Sequence, residues 1–124
     1  MIVDDDSFLL DMYALKFSQS GFEVHTAADG LKSLEKLRTG LRPDVILMDI
    51  IMPEMDGFEM LEKINQEKLS ENSTKIVLSN KSQQSDVEKG ASMGVAGHIV
   101  KANSTPAEVI EQVSQILERA NKSN

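Results

Sequence analysis

Short apolar runs alternate with longer segments of helical period, five times along the chain. Residues 1–3 form the first run. Phe8, Leu9, Met12, Leu15 and Phe17 then recur at helical spacing, and Gly21 follows as a helix stop, since glycine accepts the left-handed conformation that ends helices. Residues 22–27 alternate apolar and polar as a half-buried strand does. Asp29 is placed to cap a second helix bearing Leu31, Leu34 and Leu37, which closes at Gly40. Val45–Met48 is a continuous apolar run of buried-strand type, preceded by Pro43. A third helix is expected to start near Phe58 and to carry Leu61 and Ile64. Residues 75–78 read as the fourth strand.

The segment 84–93 is a weaker helix, with Ser85 as cap and Val87 and Ala91 facing inward. Residues 97–100 read as the fifth strand. The last helix has the clearest start: Thr105 at N-cap, Pro106 at the first helical position and Glu108 at the third make a capping box. Val109, Ile110, Val113, Ile116 and Leu117 then share one face. One domain is expected over residues 1–120, followed by a polar tail at 121–124. The regular alternation implies an α/β fold, a doubly wound parallel sheet with right-handed crossovers putting helices on both faces. In such sheets the working site lies outside the carboxyl ends of the strands.

Composition narrows the chemistry. Aromatics are 4% with no Trp, so Leu, Ile, Val and seven Met must fill the interior. Acids outnumber bases 20 to 13, for a net charge of −7, whereas binding phosphate backbones needs clustered Lys and Arg. Direct nucleic-acid binding by this domain is therefore excluded. The absence of Cys removes disulfides, thiolate zinc and a cysteine nucleophile together. No apolar stretch approaches the roughly 18 residues of a membrane span, and no signal peptide opens the chain. A cytoplasmic setting without membrane attachment is the expectation.

Chemistry-bearing residues collect where the fold says to look. Asp4, Asp5 and Asp6 follow strand one, and Asp49 follows strand three inside an apolar stretch. Strand four ends at Ser79 and strand five at Lys101. If strands one and three are neighbours, at least three carboxylates converge, and like charges in a partly desolvated cleft need neutralising. A carboxylate set without His or Cys suits a hard divalent ion such as Mg²⁺. Lys101 and Ser79 at the same rim suit the oxygens of a phosphoryl group. A P-loop or a glycine-rich dinucleotide turn after strand one is absent, and an acidic triplet there would repel pyrophosphate or a flavin phosphate.

This constellation closely resembles the receiver domain of two-component response regulators, from Ile2 to about Leu117. Val3-Asp4-Asp5-Asp6 is similar to the family's acidic motif, and the nine residues from Asp49 to Gly57, Asp-Ile-Ile-Met-Pro-Glu-Met-Asp-Gly, to its phosphoacceptor loop. Leu78-Ser79, Val100-Lys101 and Ala28-Asp29-Gly30 match further family positions. The resemblance implies a flavodoxin-like (βα)5 fold with strand order 2-1-3-4-5. It implies that Asp49 accepts a phosphoryl group from the phosphohistidine of a histidine kinase or phosphotransfer protein. Asp5, Asp49 and the Ile51 carbonyl would hold Mg²⁺, with Asp4 acting through a coordinated water. Lys101 and Ser79 would contact the phosphoryl oxygens. Ser79 and His98, the latter standing where the family has Tyr or Phe, would switch the face formed by helix four, strand five and helix five. That face would engage an effector domain, a downstream protein or a second copy. The only catalysis implied is of the domain's own phosphorylation and dephosphorylation.

Several residues also have plain readings. Asp4–Asp6 alone would be a solvated turn and helix cap, Asp56-Gly57 is turn chemistry, the Met residues are core filler, and His25 faces solvent from a strand. Four departures stand beside the match. Strand one lacks its usual first residues, which suggests an excised or incompletely represented domain. His98 replaces the usual aromatic. Asn80 stands where a small residue is common and would crowd the phosphoryl group. Ala102 replaces the proline after Lys101, so the Lys101–Ala102 bond is expected to be trans, with the turn made across residues 102–104. Two competing functions are a binding-only domain of the same fold and a phosphohydrolase of the haloacid dehalogenase type. The latter needs Asp-x-Asp, and Ile51 occupies its second position.

Overall fold

The computed structural model describes residues 1–80 and 83–122, with side chains through residue 121. In chain order the elements are β1 (Ile2–Val3), α1 (Ser7–Gln19), β2 (Thr26–Ala27), α2 (Gly30–Arg38), β3 (Val45–Met48) and α3 (Gly57–Gln66). They continue with β4 (Thr74–Ser79), α4 (Gln84–Ser92), β5 (Val95–Val100) and α5 (Pro106–Lys122). The five strands form one sheet in the order β2-β1-β3-β4-β5, and every pairing is parallel.

Strand residues alternate between two cores, as a period of two requires. Ile46, Met48 and Val77 point to one side, where Leu34 and Leu37 of α2 and Met60, Leu61 and Ile64 of α3 cover them. Leu47, Ile76, Leu78 and Ile99 point to the other, under α1 and the Val109, Val113 and Ile116 stripe of α5. Six of the seven methionines, all but Met12, lie in or against the first core and serve as filler there.

Local signals position the helices. Asp29 Oδ1 accepts a hydrogen bond from the Lys32 amide at 2.7 Å and so caps α2. At α5, Thr105 Oγ1 accepts from the Glu108 amide and Glu108 Oε1 accepts from the Thr105 amide, each at 3.2 Å, completing the capping box. Gly21 and Gly40 have φ of 94° and 109°, the left-handed values that end helices.

Other expectations are corrected. On α1 the buried residues are Leu10, Tyr13 and Phe17, while Phe8 and Leu15 are exposed at 75% and 56%. Each lies two positions, about 200° of helical rotation, from a residue on the sheet-facing stripe. Leu31, in the first turn of α2, is also exposed. The ladder of β2 covers Thr26–Ala27 rather than all of residues 22–27, because β1 offers only Ile2 and Val3 as partners. Ser85 does not cap α4: Gln83 holds the cap position without a side-chain bond. Val87 is half-buried, Ala91 is exposed, and Gly90 is the residue buried on that helix. Its apolar stripe is too sparse to fix a face. Helix α5 runs through Lys122 and so takes in the start of the expected tail, since polar residues continue a helix that is anchored upstream. Residues 123 and 124 lie outside the described residues.

Candidate functional site

The parallel sheet brings four strand ends to one edge. Asp4 follows β1, Asp49 follows β3, Ser79 ends β4 and Lys101 follows β5. An open cleft of about 300 Å³ lies there, lined by Asp4, Asp5, Asp6, Leu9, Asp49, Ile51, Asn80 and Lys101.

Lys101 joins the first and last strands to the third. Its Nζ donates to Asp4 Oδ2 at 2.5 Å and to Asp49 Oδ2 at 3.0 Å, and all three residues are buried. The other carboxylate oxygens are also engaged: Asp4 Oδ1 accepts from the Asp6 amide at 2.9 Å, and Asp49 Oδ1 from the Ile51 amide at 3.3 Å. Burial pushes the Asp49 carboxyl above its ordinary range, and the Lys101 cation offsets this only in part. Burial also works to lower the Lys101 ammonium, but its bonds to Asp4 and Asp49 together hold it above the usual lysine value.

Asp4, Asp5 and Asp49 each offer a carboxylate oxygen, and these atoms lie within 4.8 Å of one another. Asp4 and Asp49 are buried, while Asp5 is exposed to the cleft. Among the described residues one ammonium faces three carboxylates, so this cluster keeps negative charge that a further cation would neutralise. The all-oxygen donor set fits Mg²⁺.

The remaining candidates sit at different distances from this centre. The Ile51 side chain is 61% exposed at the cleft, and its amide anchors Asp49. Ser79 is buried at the end of β4, and the next residue, Asn80, reaches the cleft wall. His98 is half-buried in β5, in register with Val77, and is not among the residues lining the cleft. Asp6 is the N-cap of α1, accepting from the Leu9 amide at 3.1 Å.

The loop after Asp49 is held by its own chemistry. Glu54 adopts φ of 67°, the Gly57 amide donates to the Ile50 carbonyl at 2.7 Å, and Asp56 caps α3 by accepting from the Glu59 amide at 2.8 Å. The Asp56-Gly57 turn reading holds, but it missed the function of the glycine. A Cβ on Gly57 would stand 2.2 Å from the Asp49 carbonyl oxygen, so only glycine lets α3 start this close to the site. A glycine directly after an N-cap aspartate was the available signal. Across the cleft, the Lys101–Ala102 bond is trans and residues Lys101–Asn103 form one 3-10 turn, closed by the Ser104 amide on the Lys101 carbonyl at 3.2 Å.

The family model described as the response regulator receiver domain matches residues 1–114. The chain belongs to that family. It is similar to chemotaxis protein CheY of Thermotoga maritima, 34% identical over 117 residues, which are 94% of either chain. It is also similar to the alkaline phosphatase synthesis transcriptional regulatory protein PhoP of Bacillus subtilis, 32% identical over 97% of this chain and 48% of that protein. The chain thus spans about half the length of PhoP and the SaeR response regulators it also matches. Among solved structures, a CheY-like receiver domain protein from Methanospirillum hungatei superposes with a TM-score of 0.86 at 27% identity, covering 99% of this chain and 95% of the other. Vibrio cholerae chemotaxis protein CheY4 gives 0.85 at 28% identity, covering 93% and 94%. The strand order and the response-regulator assignment expected from the motifs are thereby established. Among the described residues, no helix is long and apolar enough to cross a membrane.

Proposed function

We propose that this receiver domain accepts a phosphoryl group on Asp49 from the phosphohistidine of a histidine kinase or phosphotransfer protein, in a Mg²⁺-dependent reaction in the cytoplasm. The observation that supports this most is the placement of Lys101 between Asp4 and Asp49, beside a third, exposed carboxylate. In the transfer, an Asp49 oxygen attacks phosphorus as the P–N bond to the imidazole breaks, and that electron pair returns to the ring nitrogen. Asp5, Asp49 and the Ile51 carbonyl would hold the metal, and Asp4 would act on it through water. When bound, the ion would offset negative charge on the phosphoryl oxygens.

The chain's own residues do the positioning. Lys101 exchanges part of its carboxylate pairing for the phosphoryl oxygens, and the Ile51 amide keeps the acceptor carboxylate in one rotamer. Ser79 donates to a phosphoryl oxygen, and its movement with His98 shifts the face of α4, β5 and α5 toward an effector, a downstream protein or a second copy. This is a population shift biased by the added charge. Incubation with Mg²⁺ and phosphoramidate, a small phosphohistidine mimic, should add one phosphoryl group to the wild type and none to Asp49→Ala. Equal labelling of the two contradicts the reading.

A further inference from the structure

The cleft walls are chemically lopsided. Asp4, Asp5, Asp6 and Asp49 are carboxylates, which when ionised only accept hydrogen bonds. Lys101 only donates, and Leu9 and Ile51 do neither. Among the described residues, Asn80 is the one lining side chain that both donates and accepts. It is exposed, it sits at the carboxyl end of β4, and its carboxamide has no hydrogen-bond partner among the described residues. A group of this kind can hold a phosphoryl oxygen with its NH₂ while its carbonyl oxygen orients a water molecule. Among the described lining residues no other side chain can do both, since the carboxylates accept only and Lys101 donates only.

We infer that Asn80 is a positioning residue for hydrolysis of the Asp49 acyl phosphate, so that it shortens the lifetime of the phosphorylated state. The inference rests on the receiver reading above and replaces the expectation that Asn80 only crowds the phosphoryl group. In the step, the water oxygen forms a bond to phosphorus as the bond between phosphorus and the Asp49 oxygen breaks. The electron pair of the broken bond stays on Asp49 as carboxylate, and the water's protons leave on the released dihydrogen phosphate. Charge and atoms balance without a further reactant. Asn80 takes no proton; its carboxamide restricts the water to the in-line direction, as orientation effects require.

Size and hydrogen bonding can be separated at this position. Wild type, Asn80→Ala, Asn80→Leu and Asn80→Gln are each labelled with phosphoramidate and Mg²⁺, freed of donor, and followed by intact mass as the label decays. Leu keeps the bulk of Asn without its hydrogen bonds, and Gln keeps the carboxamide. The decay is expected to slow about tenfold in both Ala and Leu, with partial recovery in Gln. Ala and Leu shifting in opposite directions would show that bulk alone matters and overturn the inference, as would equal decay in all four. Failure of the wild type to take any label would instead overturn the receiver reading itself. Circular dichroism of all four chains checks that the exposed substitutions leave the fold intact.

Discussion

The backbone of Gly57 approaches Asp49 so closely that a methyl group at Gly57 would stand 2.2 Å from the Asp49 carbonyl oxygen and 2.9 Å from the Ile50 Cα. Both obstacles are backbone, so a side-chain rotation cannot relieve them. Gly57→Ala is expected to cost roughly 1–3 kcal/mol, the usual scale of overpacking. The same change pushes the acceptor loop away from Asp4, so Mg²⁺ affinity should fall with it. Urea unfolding with and without Mg²⁺ measures both.

Asp49 makes the metal-free domain sensitive to pH. Burial raises its folded-state pKa, so the folded chain binds that proton more tightly than the unfolded chain. The stability from this group is full below the unfolded value of about 3.9 and is lost as pH rises through the raised folded value. Asp49→Asn removes this loss. The variant should be more stable than wild type at pH 7.5 by on the order of 1 kcal/mol, and the difference should disappear below about pH 4. Paired denaturant titrations across that range test it.

The exposed carboxylate gives a cleaner probe of metal binding. Asp5→Asn removes a charge from the surface of the cleft, so metal-free stability should change by less than about 0.5 kcal/mol. Wild type with Mg²⁺ at 100 times its dissociation constant should gain about 2.7 kcal/mol, and Asp5→Asn should gain little at the same concentration. Thermal melts over a Mg²⁺ series read this directly. A full Mg²⁺ gain in the variant would remove Asp5 from the ligand set.

At the far end of β4, Lys75 is buried with its Nζ on the Ser70 carbonyl at 3.3 Å. Burial lowers its pKa, so the folded chain holds this proton less tightly than the unfolded chain. The resulting penalty is absent above the unfolded value of about 10.4, grows as pH falls, and is complete below the folded value. Lys75→Met is therefore expected to stabilise the domain by about 1 kcal/mol at pH 7, with the gain shrinking toward pH 10 and above. Chemical denaturation at the two pH values decides it.

The contrast between α5 and α4 shows what the sequence could carry. Thr105, Pro106 and Glu108 encode their helix start locally, and the hydrogen bonds of the capping box follow directly. Asp29 and Asp56 do the same for α2 and α3. Helix α4 buries only Gly90 and has no side-chain cap, so nothing in its pattern distinguished Ser85 from its neighbours. On α1, apolar residues occur on more than one side, and only the position of the sheet selects Leu10, Tyr13 and Phe17 over Phe8 and Leu15. At the cleft, the acidic triplet, Asp49 and Lys101 were legible because parallel strands force their ends together. The Lys101 bond to Asp4, the closeness of Gly57 and the exposure of Asn80 depend on tertiary distances that spacing does not encode.

Asp49 as the single acceptor is the claim on which the rest of the account depends. An aspartyl phosphate is an activated acyl group, and borohydride reduces it to homoserine while leaving free carboxylates unchanged. The chain is phosphorylated with phosphoramidate and Mg²⁺, reduced, digested and sequenced by mass spectrometry. Homoserine should appear at position 49 and at no other aspartate, and should vanish when Mg²⁺ is chelated before the donor is added. Homoserine at Asp4, Asp5 or Asp6, or none anywhere in a chain that has taken up phosphate, would contradict the account.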